Sequence, residues 1–247
     1  MARFILAALL LLTALPAAAG DPAGQLPDAA RERARAEAAL KNPKVQELGG
    51  GRFRVGLIQV DRKARRFAVP AVVHQVEGPQ EFVLATHGGY KGYESTLEAG
   101  ATAYEFNVAC LLIGLDPERA GRPRYHFDPN HVQGDAVAVS VVWRDAKGEH
   151  RIDARQAVVD RRSGKTLGPS PWIYTGSTLT PDGTYLAQSD GVLIGFVHDP
   201  AEIITLRDGT GQSDYGNLVP NRALLPPKGT RVTVEVQALT EKPKGKR

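Results

Sequence analysis

Between Val137 and Trp143 every second residue is large and apolar: Val137, Val139, Val141 and Trp143. A period of two over that length reads as one local structure, a half-buried β-strand with one face on a core. Asp145 to Gly148 then supplies turn residues, and Ile152 to Val159 returns, so the pair reads as a hairpin. The same reasoning extends along the chain. Phe53, Val55 and Leu57 alternate with Arg52, Arg54 and Gly56 and predict a strand with those three apolar residues on its buried face. Asp61 to Arg65 is a charged turn, Phe67 to Val76 a second strand interrupted early by Pro70, and Glu81 to Thr86 a third. Trp172 to Ser177, Val192 to Val197 and Arg231 to Ala238 complete the set. Most of the 26 glycines and 17 prolines fall between these runs.

One helix is well signalled. Thr102 and Glu105 have the spacing of a capping box, in which each side chain bonds the other's backbone amide. Phe106, Ala109, Cys110 and Ile113 then recur at helical spacing as one apolar stripe, and Gly114 with Pro117 stops the run. Asp28 to Lys41 also reads as a helix, with the favourable pair Glu37 and Lys41, but Leu40 is its only large apolar residue. Such a helix has little to bury and reads as a peripheral arm. The expected fold is therefore α+β: a predominantly antiparallel β-sheet with one packed central helix, about residues 101–114, and a peripheral N-terminal helix.

The N-terminal residues indicate export. Arg3 precedes an apolar run from Phe4 to Leu15, Pro16 breaks it, and Ala17-Ala18-Ala19 offers the small side chains that a signal peptidase accepts. The run is shorter than the roughly 20 residues of a membrane span, and nothing later resembles a second span. The expected organisation is a signal peptide over 1–19 cleaved after Ala19, a helical arm and glycine hinge (Gly49-Gly50-Gly51) over 20–51, one domain over 52–239, and a basic tail over 240–247. The expected location is periplasmic or extracellular.

Export makes the cysteine count informative. Cys110 is the only cysteine, so no internal disulfide can form and stability has to come from the core. A chain of this size can bury about 70% of its unfolded surface, which suffices. A lone thiol also argues against an iron–sulfur cluster, which commonly takes four, and no other cofactor is named by the residues. Cys110 lies on the apolar stripe and reads as buried and inert.

The formal charge of +4 falls to +3 without Arg3, and the excess gathers in Lys242, Lys244, Lys246 and Arg247. So mild a balance, with aromatics that look like core, argues against nucleic acid. The tail can make weak contact with an acidic surface. Ser163-Gly164-Lys165-Thr166 has the ending of a phosphate-binding loop, but Val159 stands at the first glycine of that motif, and Gly168-Pro169-Ser170-Pro171 forbids the helix that should follow.

Two clusters could carry chemistry. The glycine-rich loop from His87 to Ser95 places His87, Lys91, Tyr93 and Glu94 close together, and a histidine beside a carboxylate suits acid–base work or metal binding. Ser177, in Thr175-Gly176-Ser177, could complete such a catalytic set, although the flanking glycines of a nucleophile elbow are absent. The second cluster, His126-Phe127-Asp128-Pro129-Asn130-His131, has two imidazoles and a carboxylate, His126, Asp128 and His131, that could ligate zinc or a similar ion. Against both stand plainer readings, in which these residues hold turns.

The phrase Gly88-Gly89-Tyr90-Lys91-Gly92-Tyr93-Glu94-Ser95, followed by a helix with Leu111-Leu112-Ile113-Gly114, resembles the YdjY domain of exported bacterial proteins. That family typically carries glycine–lysine–x–histidine–glutamate–serine before a leucine-rich helix. Trp172-Ile173-Tyr174-Thr175-Gly176-Ser177 is similar to a second family phrase, and Asn221 with Pro226-Pro227-Lys228-Gly229-Thr230 to its closing segment. The likeness runs from about Phe53 to Val236. It implies no activity, and the ferredoxin-like label some members carry does not suit a chain with one cysteine. Tyr93 stands where the family has histidine, so any role of that histidine is lost here or moved to His87. The function expected is an exported envelope module that binds a partner protein, ligand or polymer. The alternative is a periplasmic or secreted enzyme, for instance a metal-dependent hydrolase.

Overall fold

The computed structural model describes residues 43–211 and 215–239. The expected signal segment, the helical arm over Asp28–Lys41 and the basic tail lie outside the described residues.

Fourteen strands follow one another among the described residues: β1 (Val45–Gly49), β2 (Arg52–Val55), β3 (Ile58–Asp61), β4 (Arg66–Val73), β5 (Phe82–Thr86), β6 (Ser95–Ala99), β7 (Asp135–Asp145), β8 (Gly148–Asp153), β9 (Val158–Asp160), β10 (Trp172–Tyr174), β11 (Val192–Val197), β12 (Ile204–Thr210), β13 (Leu218–Pro220) and β14 (Arg231–Ala238). Two α-helices lie among the described residues, α1 (Ala103–Leu112) and α2 (Leu186–Asp190). Strands β4-β14-β7-β10-β12-β11-β5-β6 are paired in that order, and β6 pairs back onto β4, so eight strands close into a barrel. This corrects the expected fold, a predominantly antiparallel β-sheet with one packed central helix: the sheet closes on itself. Two of the barrel's pairs, β5–β6 and β11–β12, are parallel. Closure is physically favoured because it leaves no strand edge among the eight. Strands β1 to β3 continue outward from β4 as hairpins, and β9 pairs β13 in a separate ribbon.

Pro70 marks the point where β4 changes partner. On one side β4 runs along β14 throughout; on the other it pairs β3 through Arg66–Ala68 and then β6 through Ala71–Val73. The Pro70 carbonyl accepts from the Gly100 amide at 2.9 Å on that second side, so the missing proline N–H falls in the gap and the β14 ladder is intact.

The alternation on β7 holds: Val137, Val139, Val141 and Trp143 are buried, and so are Val232, Val234 and Val236 on β14. Phe53–Leu57 differs. Gly56 and Leu57 form the two-residue turn between β2 and β3, with Gly56 at φ +56, so Leu57 is exposed and Ile58 takes the buried position instead. Of the three glycines expected as a hinge, Gly49 ends β1 and Gly50 and Gly51 form the β1–β2 turn, all with positive φ, so the sheet begins at Val45. Helix α1 has the expected capping box, and Phe106, Ala109, Cys110 and Ile113 are buried. Phe106 meets Phe67 edge-on at 5.1 Å, and the helix packs against β2, β3 and β11. Burial pushes the Cys110 thiol well above its ordinary pKa, which makes it unreactive.

Candidate functional site

Residues 90–94 form a single 3₁₀ turn after β5, which brings Lys91 over Glu94. Their side chains meet at 2.8 Å, both largely buried. Burial by itself would lower the Lys91 pKa, but the hydrogen bond and charge of Glu94, with Tyr93 and Glu81 behind them, hold it above its ordinary value. Burial and the Glu94 carboxylate likewise raise the Tyr93 phenol. A lysine held protonated in an ion pair is a poor nucleophile or base.

His126 from the second cluster comes to the same end of the barrel. Its Nδ1 lies 2.7 Å from Asp199 Oδ2 and its Nε2 3.4 Å from Glu81 Oε2. The bonds to Asp199 and then Glu81 raise the imidazole to about 9, against the opposing effect of burial. The nearby Glu202 is 1% exposed, and one of its carboxyl oxygens has no partner among the described residues. Desolvation, and then the charge of Asp199, push its pKa well up.

The remaining metal candidates diverge. Asp128 is buried and accepts from the amides of Arg124 and Asn130, which hold it below the usual carboxylate range as a turn former. His131 is exposed and pairs with Asp208 at 2.8 Å. Among the described residues no three metal-capable side chains converge. His198, which the sequence reading passed over, pins this loop: its Nδ1 lies 2.6 Å from the Asp128 carbonyl, and its own carbonyl accepts from the Phe127 amide.

Ser177 is spent on structure. Its hydroxyl donates to the Ala201 carbonyl at 2.9 Å and accepts from the Ala187 amide at 3.1 Å, and its backbone sits at φ +61. It caps the approach to α2 and offers no free nucleophile.

His87 turns the other way. Its ring is exposed, with Nδ1 2.9 Å from Glu98 Oε2, while Oε1 of Glu98 accepts from the Gly88 amide at 2.9 Å. Burial opposes ionisation of Glu98, but Gly88, His87 and His74 together keep its pKa below the ordinary value. This dyad lines a groove of about 590 Å³ on the outer surface of the barrel. Pro70, Val72, Val142 and Thr233 form its floor, Leu57 an apolar wall, and Arg231 and Arg144 bring charge. Register explains the arrangement: Val72 faces Glu98 on one side and Arg231 on the other, so the three form one row across β6, β4 and β14. Gly100 allows Leu57 to settle there, since a Cβ would come within 3.2 Å of its methyl. Leu57, misplaced by periodicity, is thus a wall of this groove.

The structure therefore divides the first sequence cluster. Lys91 and Glu94 join His126 in a paired, largely buried network, and His87 goes to the groove. Glu81, Asp199 and Glu98 complete these networks without any local sequence signal, because each meets its histidine from a separate segment of the chain.

The family model of the YdjY domain matches residues 58–237. The match runs from the first residue of β3 almost to the end of β14 and covers the barrel, so the chain belongs to the YdjY-domain family. No curated protein and no solved structure matches it.

Proposed function

We propose that this YdjY-domain chain is an exported envelope module that binds its ligand in the groove beside His87 and Glu98. The observation that carries the reading is the groove itself. Ligand sites are concave and mostly apolar with a few placed polar groups, and typically enclose roughly 300–1,000 Å³. This groove has an apolar floor, a bonded His–Glu pair at one side and Arg231 at the other. The Lys91–His126 network supports binding over catalysis from the opposite direction. There lysine and imidazole are paired in their charged forms, and the Ser177 hydroxyl is committed to a carbonyl. Export is supported by Arg3, the apolar run Phe4–Leu15 and Ala17–Ala19.

A second reading, an enzyme, is favoured by one observation. The His87–Glu98 pair presents the free Nε2 of His87 beside the groove, the arrangement of a general acid–base.

The test is an NMR titration of the mature chain with a fragment library. Shift changes gathered on Val72, Val142 and Thr233 support the groove. Changes gathered on Lys91, Glu94 and His126 instead would overturn it. Export is checked separately by N-terminal sequencing of periplasmic material from a bacterial host, where Gly20 is the expected first residue.

A further inference from the structure

The charged groups around the groove have partners among the described residues, with a single exception. Glu98 is met by the Gly88 amide, by His87 at 2.9 Å and by His74 at 3.7 Å. Glu149 lies 3.4 Å from Arg144. Arg231, the first residue of β14, has no ion pair or hydrogen bond from its side chain among the described residues, yet it lines the groove. A guanidinium presents several donors in one plane, the geometry that receives a carboxylate through two parallel bonds.

Between Arg231 and Glu98 lies Val72, each pair being direct cross-strand neighbours. Two strand spacings separate the outer members of that row, or about 10 Å of sheet surface. Leu57, Pro70 and Val142 extend the apolar floor beside it. His87 stands at the Glu98 end with Nδ1 committed, so Nε2 is free to bond a ligand group.

We infer that the groove takes a small organic monocarboxylate with an apolar body, its carboxylate on Arg231 and its far end against His87. The inference rests on the groove reading above. One unmatched cation calls for one negative charge. A dianion such as a phosphate monoester would also face the carboxylates of Glu98 and Glu149.

The probes are octanoate, its ω-hydroxy analogue, octanamide and octyl phosphate, titrated into the full mature chain and followed by NMR shifts on the groove floor. Octanoate is expected to bind at least tenfold more tightly than octanamide, and the ω-hydroxy acid more tightly than octanoate. Arg231→Ala should weaken octanoate at least tenfold with an unchanged melting temperature, Arg231→Lys should fall between, and His87→Ala should remove only the gain from the hydroxyl. If Arg231→Ala melts early, the octanoate and octanamide pair on the unaltered protein decides. Equal binding of acid and amide on the groove floor overturns the carboxylate while the groove stands. Tighter binding of octyl phosphate overturns the single charge. Absence of shifts on the floor with all four probes overturns the groove as well.

Discussion

Glu202 offers the sharpest test of the charged network, because its environment sets the sign and slope of a pH effect. The residue sits in the turn between β11 and β12, 1% exposed, with Oε1 lodged over Gly195, where a Cβ would come within 1.5 Å of it. Desolvation is the main cause that raises its pKa above 4.5, and the charges of Asp199 and Glu81 add to it. The folded protein therefore holds a proton that the unfolded chain releases at about 4.5. The stability that proton confers is complete below that value and is lost as pH rises toward the raised folded pKa. Within that window the loss is about 1.4 kcal/mol per pH unit. Glu202→Gln keeps the shape and removes the titration. For a domain of this size, the melting temperature of the variant minus that of the parent should therefore climb by roughly 3–6 °C per pH unit. Thermal melts of both proteins from about pH 5 to about pH 7 read the difference directly, since whatever the two proteins share largely cancels between them. A difference that stays flat across the range would refute the argument, since it would mean that Glu202 ionises in the fold as it does in the open chain.

Other substitutions probe neighbouring claims. Gly195→Ala should cost about 1–3 kcal/mol by pressing a methyl into the Glu202 carboxyl; denaturant melts should show a smaller cost when Glu202→Ala is already present. His126→Ala should lower the melting temperature most below pH 6.5, where the raised pKa of His126 still adds stability, and the deficit should vanish toward pH 9. Because the ring is 36% exposed, that deficit should be only about 1 kcal/mol; an increase with pH would contradict the Asp199 and Glu81 contacts. Thr102→Ala should cost about 1 kcal/mol by removing the acceptor for the Glu105 amide, and Thr102→Ser should restore most of it in the same melts.

Features that depend on residues within a few positions of one another were legible in the sequence. The capping box of Thr102 and Glu105 and the stripe ending at Ile113 are helix physics over one short segment, and α1 forms there. The alternation from Val137 to Trp143 required a strand with one buried face, and that face is buried. The likeness to the YdjY domain was also readable, since it lies in ordered local phrases. Periodicity failed at Leu57, where one glycine with positive φ turns the chain and reverses which residues face inward. It was silent about β6, where Ser95, Thr96 and Leu97 are all buried and no alternation remains to be read.

Only the tertiary structure decided that the sheet closes and which charges meet. Closure depends on β4 pairing β6 beyond Pro70, a contact that neither strand encodes alone. His126 finds Asp199 73 residues away, and His87 leaves Lys91 and Glu94 for Glu98 because β5 and β6 run parallel, so the residue that follows β5 lies beside the end of β6. Val72 between Glu98 and Arg231 is a matter of register across three strands. Local sequence sets how each segment bends and which face it must bury, whereas partners and register follow from how all the buried faces can be satisfied at once.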